Sequence, residues 1–153
     1  MDYELFLKQL TALTEDCPFL IANLSNTAAL LWQSLPQINW VGFYMCRKEE
    51  LILGPFQGKP ACIRIPVGKG VCGTAILENQ VQRVADVHAF PGHIACDCES
   101  RSEMVIPLHV GGKLWGVLDI DSPAMNRFTE SDQKGLETVC REIEKYLCRN
   151  VWE

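Results

Sequence analysis

The stretch Glu103 to Asp121, EMVIPLHVGGKLWGVLDID, carries two runs of alternating apolar and polar residues around Gly111-Gly112 and reads as an antiparallel hairpin. Met104, Ile106, Leu108 and Val110 form one apolar set, and Leu114, Gly116, Leu118 and Ile120 form the other. Both sets must face the same side, because a one-residue slip sends a whole set through the sheet. A two-residue Gly-Gly loop would pair Val110 with Lys113 and separate them. A three-residue loop pairs Val110 with Leu114 and aligns them, and this is the register expected. It sets Glu103 opposite Asp121 with Asp119 beside them, so three carboxylates gather on the face away from the helices.

Upstream, Val41, Phe43 and Met45 alternate with Trp40, Gly42 and Tyr44 in a strand starting at Asn39 and ending in the charged turn at Arg47-Lys48-Glu49-Glu50. Leu51 to Leu53 and Ala61 to Ile65 read as two further strands, separated by Gly54, Pro55, Gly58 and Pro60. Gly68 to Gly73 lead into a short helix through about Glu78, and Val81 to Ala85 are again extended. Residues 86–101 show no period and form a long irregular loop, a kind of segment that is usually functional.

Helices bracket the strands. Tyr3, Phe6, Leu7, Leu10 and Leu13 recur at helical spacing. Asp16 and Pro18 then resemble a cap and a first-turn proline for a helix carrying Ile21, Leu24, Ala28, Leu31 and Leu35, which Pro36 stops. Thr129 with Asp132 resembles a cap for a last helix through Leu136, Val139, Cys140, Ile143 and Leu147. The order predicts a single α+β domain over residues 1–153, an antiparallel sheet of about six strands with helices on one face and a loop-covered pocket on the other.

Composition narrows the chemistry. The chain has 153 residues, 48% hydrophobic and 22% charged, enough for a core that needs no disulfide or metal staple. A net charge of -5 disfavours nucleic acid and anionic membrane as partners. Met1-Asp2-Tyr3-Glu4 is acidic where a signal peptide would be basic, and no apolar run approaches the roughly 18 residues of a spanning helix. A cytoplasmic location is expected. In that reducing compartment the eight cysteines are read as thiols serving redox chemistry, metal chemistry or packing.

Three carboxylates on one face repel, so at least one should hold its proton unless solvent or a cation lies among them. The alternative is a solvated sheet face. Trp40 and Tyr44 share one face of their strand and either wall a pocket or join the core. Cys17, Cys46, Cys140 and Cys148 lie where nothing activates a thiol. Cys96 lies in the irregular loop, in the run Phe90-Pro91-Gly92-His93-Ile94-Ala95-Cys96-Asp97-Cys98, where it is accessible. His88, His93, Cys96 and Cys98 lack the paired spacing of a zinc framework, so no metal is expected. No Gly-x-Ser-x-Gly elbow occurs, and Gly68-x-Gly70-x-x-Gly73 follows a proline outside any βαβ unit. A thiol nucleophile remains.

Gly70-Val71-Cys72-Gly73-Thr74-Ala75, Val84-Ala85-Asp86-Val87-His88, Phe90 to Asp97, Ser102-Glu103 and Trp115 to Ser122 together resemble the free methionine-(R)-sulfoxide reductases, which are single GAF domains. The likeness runs nearly end to end. It implies Cys96 as nucleophile, Cys62 and Cys72 as resolving candidates, Glu103, Asp119 and Asp121 as acidic pocket residues and Trp40 as the pocket tryptophan. Cys98 departs from the pattern. The chemistry needs a thiolate to attack the sulfoxide sulfur while an acid protonates the leaving oxygen. Glu103 with Asp121 is the candidate acid pair, Asp119 or another acidic group the receptor for the substrate ammonium, and Trp40 the contact for the methyl end.

The resulting sulfenic acid would condense with a nearby thiol into a disulfide, preferentially at Cys62, and thioredoxin would reduce that bond. No cofactor is expected, and a homodimer is the default assembly. The competing expectations are a GAF module binding a small ligand and a thiol redox sensor without turnover.

Overall fold

The computed structural model describes residues 1–94 and 97–149. Helices α1 (Tyr3–Thr14) and α2 (Leu20–Ser34) precede strands β1 (Trp40–Arg47), β2 (Glu50–Gly58) and β3 (Arg64–Pro66). Helix α3 (Gly70–Glu78), β4 (Gln82–Val84), β5 (Ser102–Val110), β6 (Lys113–Ser122) and helix α4 (Glu130–Arg149) follow. The six strands form one sheet in the order β3-β2-β1-β6-β5-β4, and every neighbouring pair is antiparallel. Among the described residues no helix is long and apolar enough to cross a membrane.

The hairpin reaches the expected far-end register by a different route. Its turn is the two-residue one, pairing Val110 with Lys113, and Gly111 and Gly112 have φ of 58° and 77°. Two positive φ angles are what a tight type I′ hairpin turn demands. Leu108 then pairs Gly116 while His109 pairs Leu114, so Trp115 is an extra residue that bulges out of the ladder. The bulge restores the register, and Glu103 lies opposite Asp121. It also reverses the alternation locally: Leu114 packs on the pocket side and Trp115 takes its place against the helix-side core.

Strand β2 corrects the expected break at Gly54-Pro55. Gly42 pairs Phe56 and Tyr44 pairs Leu53, so Gly54 and Pro55 together oppose Phe43. A bulge is one of the few places in a sheet that tolerates a proline. Helix α2 begins at Leu20 without a side-chain cap, which removes Asp16 and Pro18 from its first turn. Its buried face takes Leu20 in place of Ile21, and it admits Thr27, whose hydroxyl meets the Tyr146 hydroxyl at 3.1 Å. In α1, Thr14 is buried where Leu13 was expected, its hydroxyl donating to the Leu10 carbonyl. The α4 cap is reciprocal: Thr129 Oγ1 accepts from the Asp132 N–H, and the Asp132 carboxylate accepts from the Thr129 N–H.

Helices α1, α2 and α4 cover one face of the sheet over a core containing Phe6, Leu24, Phe43, Leu118, Ile120 and Ile143. The opposite face carries a second apolar cluster that includes Trp40, Tyr44, Ile65, Val71, Val105 and Val117. Helix α3 covers that face together with the loops, which adds a helix to the expected loop cover.

Candidate active site

Strand alternation delivers the polar side chains to one place. Trp40 pairs Asp121, Gly42 pairs Asp119 and Glu103 pairs Asp121, so Trp40, Tyr44, Asp119, Asp121 and Glu103 share the α3 side of the sheet. Cys72, in the first turn of α3, points down at them: its Sγ, a Glu103 oxygen and an Asp119 oxygen lie within 4.8 Å of one another. These residues line a cavity closed by Lys59, Pro60, Ala61, His93, Asp97 and Ser100. Glu103 is 6% and Asp119 5% exposed, which excludes the solvated-face reading of the acidic cluster.

The floor of the cavity is aromatic. Trp40 stacks on Tyr44 with centroids 5.9 Å apart and on Phe56 at 5.2 Å. Gly42 makes this possible, since a Cβ there would collide with Phe56 Cβ and lie 2.7 Å from Trp40 Cη2. The polar tips of the two rings hold the next segment in place. Trp40 Nε1 donates to the Lys59 carbonyl at 3.1 Å, and the Tyr44 hydroxyl donates to the Cys62 carbonyl at 2.8 Å.

Burial sets the protonation of the trio. It raises Glu103 well above the usual carboxylate range, and the charges of Asp119 and Asp121 push the same way. Asp121 is raised by burial, then by Asp119 and Asp97. Asp119 is also raised by burial, but donation from Glu103 and Cys72 offsets part of that cost and leaves it at about 6. At neutral pH Asp119 is therefore the ionised member, and Glu103 holds a proton beside it. The arrangement combines an anion and a buried acid in one apolar cavity. Burial, then Asp119 and Glu103, raise the Cys72 thiol well above its ordinary value, so it is a poor thiolate. His93 Nε2 lies 3.8 Å from Glu103 Oε2, and burial, then His88, push this imidazole below its ordinary range.

Cys17, Cys46, Cys72, Cys98, Cys140 and Cys148 are free thiols, whereas Cys62 is disulfide-bonded. Cys140 is buried in the helix-side core, as packing demands, and Cys98 is exposed. The expectation for Cys96 lies outside the described residues. Of the discounted zinc set, His93 lines the cavity and His88 does not.

Sequence reasoning missed Asp97, Lys59 and Ser100 as pocket residues. Asp97 Oδ2 accepts from Asn39 Nδ2 at 3.3 Å and lies 3.8 Å from Lys59 Nζ, a bridge across the cavity mouth. Its position beside Cys96 in the irregular run was the available signal.

The GAF domain family matches residues 20–147. The free methionine-R-sulfoxide reductase of Escherichia coli is 58% identical over 127 residues, 83% of this chain and 77% of that protein. The structure of fRMsr of Staphylococcus aureus in its reduced form superposes with a TM-score of 0.92 at 56% identity, covering 95% of each chain. Free methionine-R-sulfoxide reductase from Neisseria meningitidis, solved in complex with its substrate, gives a TM-score of 0.93 at 43% identity over 96% of this chain and 89% of that one.

The fold is thus that of a GAF domain. Within that family the chain belongs to the free methionine-R-sulfoxide reductases, a group of oxidoreductases.

Proposed function

We propose that the protein reduces free L-methionine-(R)-sulfoxide to L-methionine in this cavity, with Cys96 as nucleophile. The observation that carries the reading is the pairing of an aromatic floor with an acidic trio, its Glu103 and Asp119 buried, in which burial raises Glu103 well above the carboxylate range while Asp119 stays lower, at about 6. Trp40 and Tyr44 receive the methyl and side-chain carbons. Asp119 meets the substrate ammonium, a contact that an amide nitrogen inside a protein does not offer, and so selects the free amino acid.

The Cys96 thiolate attacks the sulfoxide sulfur while Glu103, supported by Asp121, protonates the departing oxygen. Transfer of the protonated oxygen to the Cys96 sulfur then breaks the transient sulfur–sulfur bond, so the substrate sulfur gains two electrons and the Cys96 sulfur loses two, giving methionine and a sulfenic acid. Cys62 then displaces that hydroxyl as water and forms a disulfide. The choice of Cys62 over Cys72 rests on two facts: Cys62 is already disulfide-bonded, and Cys72 is buried against carboxylates that oppose its ionisation. A cytoplasmic dithiol protein of the thioredoxin kind attacks the disulfide, and its second thiol completes the exchange.

NADPH consumption coupled through thioredoxin and its reductase tests the reading. Oxidation with free L-methionine-(R)-sulfoxide, and none with the S epimer or the N-acetylated substrate, is the expected result. No consumption with any sulfoxide would replace the enzyme with a ligand or redox sensor.

A further inference from the structure

The Cys72, Glu103 and Asp119 cluster has a property that the proposed reaction does not use. One thiol and two carboxylates, each nine-tenths or more buried, place ligand atoms within 4.8 Å of one another at the base of the cavity. Asp119 Oδ1 is buried and has no hydrogen-bond partner among the described residues. An orphan carboxylate oxygen in an apolar site is costly unless a donor or a cation meets it. In the proposed reaction that donor is the substrate ammonium, so without substrate the oxygen is left for another cation.

We infer that the substrate-free, reduced protein binds one Zn²⁺ through Cys72 Sγ, Glu103 and Asp119, and that this ion competes with substrate. The inference rests on the proposed reaction only for its inhibitory consequence. The donor set selects the metal class. A thiolate with two carboxylates suits zinc, whereas calcium and magnesium take six or more oxygen ligands. Zinc bonds of about 2.0 to 2.3 Å put ligand atoms roughly 3.5 Å apart, so the cluster needs a modest contraction by side-chain rotation. Cys72 and Glu103 give up their protons as the ion enters, and the dication replaces them as the partner of Asp119. Water fills the remaining position from the cavity side. The metal would use the oxygens that hold the ammonium and deliver the proton, so bound zinc and bound substrate exclude each other.

The test is a titration of anaerobically reduced, full-length protein with Cd²⁺, reading the thiolate-to-metal charge-transfer band in the ultraviolet, followed by displacement with Zn²⁺. Substituting Cys98→Ser and Cys148→Ser in every sample removes the two thiols that are exposed among the described residues. One equivalent of Cd²⁺ is expected to give the band. Free methionine sulfoxide should weaken the binding at least tenfold in the same protein carrying Cys96→Ser, which cannot turn it over. Cys72→Ser should abolish the band, and Asp119→Asn should weaken binding at least tenfold, with circular dichroism confirming that both variants fold. No band in the parent protein, or a band of full amplitude in Cys72→Ser, would overturn the site. A protein that turns over no sulfoxide yet gives the band would instead fault the proposed reaction.

Discussion

The two faces of the sheet are built from the same strands and do opposite work. On the helix face, β1, β5 and β6 contribute Val41, Phe43, Met104, Ile106, Leu118 and Ile120, all buried in an apolar core under α1, α2 and α4. On the other face the intervening residues are Trp40, Tyr44, Glu103, Val105, Asp119 and Asp121, under α3 and loops. The first face gains stability from burial. The second takes three carboxylates partly or wholly out of water at a cost to stability, and the same desolvation raises their pKa values. Stability and chemistry are thereby separated by the two-residue period of a strand.

The sharpest way to break this division is Glu103→Gln, which keeps shape and removes the proposed proton donor. Turnover should fall on the order of 10² to 10⁴-fold with substrate affinity changed far less. An unchanged kcat would remove Glu103 as the acid. The mirror experiment is Leu118→Ala on the helix face, where Leu118 is fully buried. It should cost about 2 to 5 kcal/mol in denaturant unfolding while the folded fraction keeps its KM. A large KM change would show that the faces are not independent.

Asp119→Asn should cross the division, weakening substrate binding while raising stability. Because the folded protein holds the Asp119 proton up to about 6, against an ordinary 3.8, its contribution is full at low pH and is lost as pH rises through that window. The variant should therefore remove a decline on the order of 2 kcal/mol between these pH values. Unfolding curves measured across that range would check it, and a parallel pH dependence in both proteins would contradict it. The smallest effect belongs to the helix-face cap. Thr129→Ala should cost about 1 kcal/mol of stability and leave turnover alone, as thermal melts and the coupled assay would report.

How much of this was legible in the sequence differs between the two faces as well. The alternation of β5 and β6 was enough to set Glu103 opposite Asp121, because only one far-end register buries both apolar sets. The turn itself is two residues long with a bulge after it, where the alternation alone points to a three-residue loop. A bulge at Trp115 adds one residue, just as a longer loop would, and periodicity cannot tell the two apart. Pro55 hid the length of β2 for a related reason, since the bulge that admits it leaves no mark in hydrophobic pattern.

In the helices, Thr14 and Thr27 are buried because their hydroxyls bond to carbonyls one turn back, a solution that polarity alone misreads. At the cavity the strand residues were readable and the loop residues were not. Asp97 and Lys59 lie in aperiodic segments and meet only through the fold. The roles of the cysteines came from resemblance to a family, since spacing by itself assigns no partner to Cys62.

Reduction of the free sulfoxide in this cavity by the protein's own thiols would be visible in a single turnover. It is tested most directly by mixing fully reduced protein with one equivalent of L-methionine-(R)-sulfoxide in the absence of any external dithiol, and quantifying methionine and mapping disulfides by mass spectrometry. Close to one methionine per chain is expected, with a disulfide joining Cys62 and Cys96, and neither product for Cys96→Ser. Methionine formed equally well by Cys96→Ser, or none formed by the parent protein, would contradict it.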